Sequence, residues 1–317
     1  MSTLYQVRHV TRYRYESEIS ENVMEVRQCP LTRDHQRVMS CQLKVKPRAR
    51  LSRFEEYLGT VVHSFDIPQA HQELTLTTES LVEVKTPREL PQHGEFDWWQ
   101  QLKKLENQTE YLDFMMFSPL VQRTPRLESL FEGMMPQESE DPLCYLQRVN
   151  RELSQILEYR AVCTQADHTI DQALEKGQGA CQDFAHLLIG LGRMAGIPCR
   201  YLSGYLFHPK DSDYRSSSDA THAWMEAYLP SLGWIGFDPT NSTVVGSHHI
   251  STALGRDHKD VPPTRGVCKG FAASELSVAV QVTPAEAVHS DDDFKRMDES
   301  VYRSEPLSLT APQAQQQ

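Results

Sequence analysis

No uninterrupted apolar run approaches the roughly 18 residues of a membrane-spanning helix, so none is expected. The start of the chain, MSTLYQVRHVTRYRY, lacks the apolar core of a secretory signal, and a cytoplasmic location is the expectation. Cysteine is sparse and scattered: Cys29, Cys41, Cys144, Cys163, Cys181, Cys199 and Cys268. An odd, unclustered set argues against a disulfide framework. The absence of a CxxC pair leaves a structural zinc site without support. Positive charge is in short supply, with 32 Lys and Arg against 43 Asp and Glu and a net charge of −11. Such a chain repels phosphate backbones, which makes nucleic acid a poor partner and argues for none. The basic run KVKPRARLSR is short and reads as a solvated face. The turn GQGAC has neither the Lys-Ser/Thr of a P-loop nor G-x-G-x-x-G spacing. No acidic loop of calcium-binding form is present, and there is no internal repeat.

What remains is a chain of 317 residues, 39% hydrophobic and 24% charged, long enough for a sizeable core. Residues 1–85 read as an antiparallel β-rich module. In YQVRHVTRYRY, Tyr5, Val7, His9, Thr11, Tyr13 and Tyr15 fall on one face at period two. ENVMEVRQCPL, RVMSCQLKVKP, TVVHSFDIP and QELTLTTESLVEV supply further strands. Residues 86–160 form a helical connection. It has short helices at WWQQLKKLENQ and PRLESLFEGMM, and a longer one from Pro142 to Tyr159 striped by Leu143, Leu146, Val149, Leu153 and Ile156. Thr124 and Pro125 read as cap and first turn. Residues 161–283 form a core in which one helix precedes antiparallel strands, an α+β order. Its last stretch, 271–283, is a strand able to pair back with the N-terminal module. Residues 284–317 are polar, acidic and finally Gln-rich, with the composition of a disordered tail.

The chemistry gathers in the core. Phe184, Leu187, Leu188, Leu191 and Met194 have helical spacing, and Gly196 with Pro198 ends the helix. Cys181 therefore sits in its first turn, after Gly177 and Gly179. Free N–H groups and the positive end of the helix dipole favour a thiolate there, and the Cys181 N–H is placed to hold an oxyanion. A thiol nucleophile needs a base, and the base needs a group that orients it. His222 and Asp238 lie on two strands joined by the turn Pro230–Gly233, which brings them nearly opposite each other, with the register open. His186 lies about 140° around the helix from Cys181 and reads as structural. His248, His249 and His258 read as a solvated polar loop. Trp224 and Trp234 flank the site, either as core or as walls of an acyl-binding groove. The other six cysteines read as packing residues.

These residues resemble the bacterial transglutaminase-like family, whose members are often labelled cysteine proteases. The resemblance is carried by GQGACQDFAH, GIPCRYLSGY, THAW at 221–224 and GWIGFDPTN, with GRDHKDVPPTRGVCKG downstream. It places Cys181 at the family's nucleophile, His222 at its histidine and Asp238 at its aspartate. The N-terminal 80 or so residues look like the β-rich region that precedes this core in bacterial proteins. Ala180, where valine is common, and Cys199, where alanine is common, depart from the pattern without touching these three residues. The resemblance implies a papain-like core, with a nucleophile helix packed on an antiparallel sheet. It also implies acyl transfer from a peptide or side-chain amide through a thioester, with no cofactor and a protein or peptide as substrate. Whether water or an amine then takes the acyl group is open, as is the oligomeric state. The alternative function is a non-catalytic peptide- or protein-binding module on the same fold.

Overall fold

The computed structural model describes residues 2–33, 35–94, 97–161, 167–270 and 273–285. The tail assigned to 284–317 and Cys163 therefore fall almost wholly outside the described residues. The N-terminal module is a curled antiparallel sheet of β1 (Ser2–Val26), β2 (Gln36–Lys46), β3 (Ser52–Glu55), β4 (Val61–Ile67) and β5 (His71–Lys85). β1 is long enough to serve two halves. Its first half pairs with β5 from Ser2 to Arg14, and its second half pairs with β4 from Asn22 to Val26. The irregularity between them contains Glu21 in the left-handed region, at φ 48°.

The connection carries α1 (Trp98–Leu105), α2 (Thr109–Met115), α3 (Pro125–Gly133) and α4 (Pro142–Ile156). Thr124 caps α3 by accepting from the Leu127 N–H, with Pro125 in the first turn, as the sequence suggests. α4 stops at Ile156, short of Tyr159, because Tyr159 joins β6 (Glu158–Tyr159). After α5 (Ile170–Lys176), β7 (Gln178–Gly179) pairs in parallel with β6. α6 (Cys181–Met194) follows, then β8 (Cys199–Leu206), β9 (His222–Leu229), β10 (Gly233–Asp238), β11 (Thr243–Val244) and β12 (His249–Gly255). These five strands form an antiparallel sheet in the order β11-β10-β9-β8-β12. Finally β13 (Thr264–Lys269) and β14 (Ser274–Pro284) return to the N-terminal sheet and pair with β1. The return strand expected over 271–283 is β14.

α6 is the core helix. Phe184, Leu187, Leu188 and Leu191 are buried among Leu146 and Val149 of α4, Leu127 of α3, and Tyr201, Met225 and Phe237 of the sheet. Burying side chains of this size contributes about 1.5–3 kcal/mol each, so α6 is held from all sides. At its end Arg193 donates to the carbonyls of Phe114, Cys199 and Arg256. The other face of the core sheet meets the N-terminal module. Tyr205 and Ile250 pack on Tyr5, Val7, Val82 and Val84, and Trp224 packs with Leu31, Leu202 and Leu254. Glu226, buried in this interface, accepts from Arg33 at 2.8 Å and from Arg200 at 2.6 Å. Burial alone would raise its pKa, but the two guanidiniums bring it below the usual carboxylate range.

One cysteine expectation is overturned. Cys29 and Cys41 form a disulfide, with Cα atoms 6.1 Å apart. Cys29 follows β1 and Cys41 lies on β2, and the turn closed by the Arg33–Gln36 bridge folds the two segments together. Linear spacing hides such a pair, and the reading of Cys29 and Cys41 as packing residues is corrected. No helix among the described residues is long and apolar enough to cross a membrane.

Candidate active site

α5 ends at Gly177, whose φ of 62° suits a residue without Cβ. Its carbonyl accepts from the Glu158 N–H, and that of Gly179 accepts from the Arg160 N–H, so the turn before Cys181 is pinned to β6. Cys181 opens α6 and is half-buried. As a first-turn residue its N–H has no acceptor within the helix. Asp183, at the third position, turns its Oδ2 back to the Ala180 N–H at 2.8 Å, and its Oδ1 meets His168 Nδ1 at 2.9 Å. Gly179 is needed here, because a Cβ on it would stand 2.8 Å from the Asp183 Cβ and displace the carboxylate.

His222 opens β9 and Asp238 closes β10. The strands pair with Phe237 opposite Met225, which makes Asp238 and His222 diagonal neighbours on one face rather than direct partners. His222 Nε2 donates to Asp238 Oδ2 at 2.8 Å, and only 2% of the His222 surface and none of Asp238 is exposed. Burial pulls the imidazole's pKa down, but the Asp238 charge and hydrogen bond, aided by the Cys181 thiol, carry it up to about 10. Asp238 is also opposed by burial, and the charge and hydrogen bonds of the histidines beside it hold its carboxyl far below the usual range. Among the described residues, Nδ1 of His222 has no hydrogen-bond partner. Cys181 is close enough to the ring to add to the rise in its pKa.

Two further residues complete the surroundings of Asp238. Asn241 donates its Nδ2–H to Oδ2 at 2.7 Å and its backbone N–H to Oδ1 at 3.2 Å. Its own Oδ1 accepts from the N–H groups of Arg215 and Ser216, which anchors the segment leading into β9. The second residue is His249, and here the sequence reading is corrected. His249 lies on β12 with 1% exposure, not in a solvated loop, and its Nε2 is 3.1 Å from Asp238 Oδ2. β12 is covered on both faces, so the small and polar residues of HISTALG hide a strand. The alternation His249, Ser251 against Ile250 was a signal available in the sequence. His258 is also no loop ornament: its N–H donates to His186 Nε2 at 3.1 Å, and burial pushes its pKa down to about 4. His186 is fully buried, and burial drives its pKa well below the ordinary value. Trp224 is a core residue, while Trp234 packs on Phe114 with the Arg200 guanidinium 4.0 Å above its ring.

Among the described residues, two groups of side chains have the reach of metal ligands. In the first, His222, Asp238 and His249, the imidazole Nε2 atoms face one carboxylate oxygen as donors, which is a hydrogen-bond arrangement. In the second, His93, Asp141 and Cys144, Asp141 Oδ1 is occupied as the cap of α4, accepting from the Leu143 and Cys144 N–H groups. The positive end of α4 opposes a cation there.

Comparison with known proteins bears on the whole chain. Residues 132–239 match the model of the transglutaminase-like superfamily, and residues 5–83 match that of the bacterial transglutaminase-like N-terminal region. The chain belongs to the transglutaminase-like superfamily. An uncharacterized protein of Mycobacterium leprae is 32% identical over 88% of this chain and 98% of its own length. A protein-glutamine gamma-glutamyltransferase of Pseudomonas aeruginosa is 32% identical over 80 residues, which is 24% of this chain and 12% of that protein. A crystal structure from Cytophaga hutchinsonii, provisionally named a cysteine protease, superimposes with a TM-score of 0.73. It covers 92% of this chain and 93% of its own at 19% identity, a likeness of fold. The transglutaminase-like core thus carries Cys181 on its helix and His222 and Asp238 on its sheet, behind the bacterial N-terminal region.

Proposed function

We propose that Cys181, His222 and Asp238 act as a catalytic triad for thiol-dependent acyl transfer or hydrolysis at peptide or side-chain amide bonds. The observation that carries this reading is the buried 2.8 Å bond from His222 Nε2 to Asp238 Oδ2, which leaves Nδ1 for the Cys181 thiol. The thiol gives its proton to His222, and the thiolate attacks the amide carbonyl carbon. The oxyanion gathers at the Cys181 N–H. As the C–N bond breaks, His222 returns the proton to the departing amine and a thioester remains. Water or an amine then attacks the thioester, losing its proton to His222, and the thiol is restored. Asp238 holds the ring and balances its charge throughout. Glutamine side chains are the amides to try first, since the related Pseudomonas aeruginosa protein is named for that substrate.

The test is iodoacetamide labelling of Cys181 across pH, read by mass spectrometry in wild type and His222→Ala. Rapid labelling near pH 6–7 that slows at least tenfold in the variant is expected. Labelling that rises only near about pH 8.5 in both, as for an ordinary thiol, would overturn the triad and favour a binding module.

A further inference from the structure

Asp238 serves two imidazoles, not one. Its Oδ2 accepts at 2.7 Å from Asn241 Nδ2, 2.8 Å from His222 Nε2 and 3.1 Å from His249 Nε2. The His249 ring is fixed by its other nitrogen. Nδ1 accepts from the Gly246 backbone N–H at 3.2 Å, so the ring proton resides on Nε2, where it points at the carboxylate. The ring is further held edge-on to Trp224, with centroids 5.2 Å apart. Trp224 in turn is buried among Leu31, Leu202 and Leu254.

This geometry has a chemical use. A carboxylate at the end of a strand can rotate about its own side-chain bonds, and one donor does not prevent that. Donors from two strands and from the turn after β10 converge on Oδ2 and fix where its lone pairs point. His222 then has one place to send its Nε2–H, and its Nδ1 is aimed by default. We infer that His249 is a positioning residue for the nucleophile–base pair, acting on His222 through the carboxylate they share. The inference rests on the triad reading above and deepens it.

The experiment uses the full chain and three forms: wild type, His249→Leu and His249→Gln. Gln can present an N–H near the place of Nε2, whereas Leu fills the volume without donating. Iodoacetamide labelling of Cys181 at pH 7 should fall about tenfold in His249→Leu, the scale on which partners that orient a working side chain act. It should recover to within about threefold of wild type in His249→Gln. A structural role alone would lower the melting temperature of both variants and leave the labelling rate of the folded protein unchanged, and that result overturns the proposal. The second measurement does not depend on thiol activation. In Cys181→Ala protein, imidazole 1H–15N spectra should show the His222 Nε2–H far downfield, moving on His249→Leu and returning on His249→Gln. An unmoved resonance overturns the inference even if wild-type labelling supports the triad. A moved resonance with slow, ordinary labelling in wild type sinks the triad instead and keeps the coupling of the two rings.

Discussion

Two buried histidine–carboxylate pairs serve the segment around Cys181, and their separations are nearly the same: 2.8 Å for His222–Asp238 and 2.9 Å for His168–Asp183. They differ in what else each member touches. Asp183 gives its second oxygen to the Ala180 N–H and so closes the turn that presents Cys181, while His168 Nε2 has no hydrogen-bond partner among the described residues. Asp238 collects side-chain donors from His222, His249 and Asn241 besides the Asn241 N–H, and Cys181 acts on the His222 ring. One pair shapes the backbone under Cys181, and the other, in the triad we propose, handles the thiol's proton. A histidine near an aspartate does not by itself identify a base; the remaining lone pairs and protons decide the role.

The sharpest way to break this comparison is to remove the two carboxylates separately. Asp238→Asn should slow Cys181 labelling at neutral pH about 100-fold, the low end of what positioned acid–base groups contribute. Asp183→Ala should slow it less than tenfold but should destabilise the fold by about 1–3 kcal/mol, through the lost cap and the stranded His168. Equal labelling losses in both would erase the distinction. Labelling kinetics and denaturant unfolding of the same samples separate the two.

A middling effect is expected from pH. The His222 pKa is raised in the folded chain from 6.5 to about 10. Its contribution to stability is therefore fully present below about pH 6.5 and is lost as pH rises through about 10. The Asp238 pKa is lowered, so its contribution is present above about pH 4 and fades only under strong acid. The melting-temperature gap between wild type and His222→Gln should accordingly narrow steadily from pH 6.5 to 10, and a constant gap would refute the paired charges. The smallest effect belongs to His168→Leu. Labelling of Cys181 should stay near the wild-type rate, since Asp183 still holds the Ala180 N–H, while taking the His168 donor from the buried Asp183 carboxylate should lower stability by about 1–3 kcal/mol.

How much of this was legible depends on how local each signal is. The Cys181 turn was readable because Gly177, Gly179 and the spacing of Phe184, Leu187, Leu188 and Leu191 belong to one short stretch. The approach of His222 and Asp238 followed from a short hairpin, although the diagonal register did not, since a shift of one residue leaves the pattern equally plausible. His249 was missed because β12 is buried on both faces and the alternation of His249 and Ser251 with Ile250 is too short to stand out from a loop. The pairing of Cys29 with Cys41 was missed because it depends on where β2 returns after the turn. Helices α2 and α5, of seven residues each, are too short for periodicity to stand out.

The pairing of β1 with β14 has a consequence for biosynthesis. Tyr5 lies opposite Pro284, and the Val280 N–H of β14 donates to the Asp219 carbonyl, three residues before His222. A chain emerging from the ribosome exposes β1 well before β14, so one of its neighbours and one anchor of the segment leading to His222 arrive some 270 residues later. A nascent chain halted after β12 would already hold Cys181, His222 and Asp238 while lacking that anchor, so the site's final setting waits for β14.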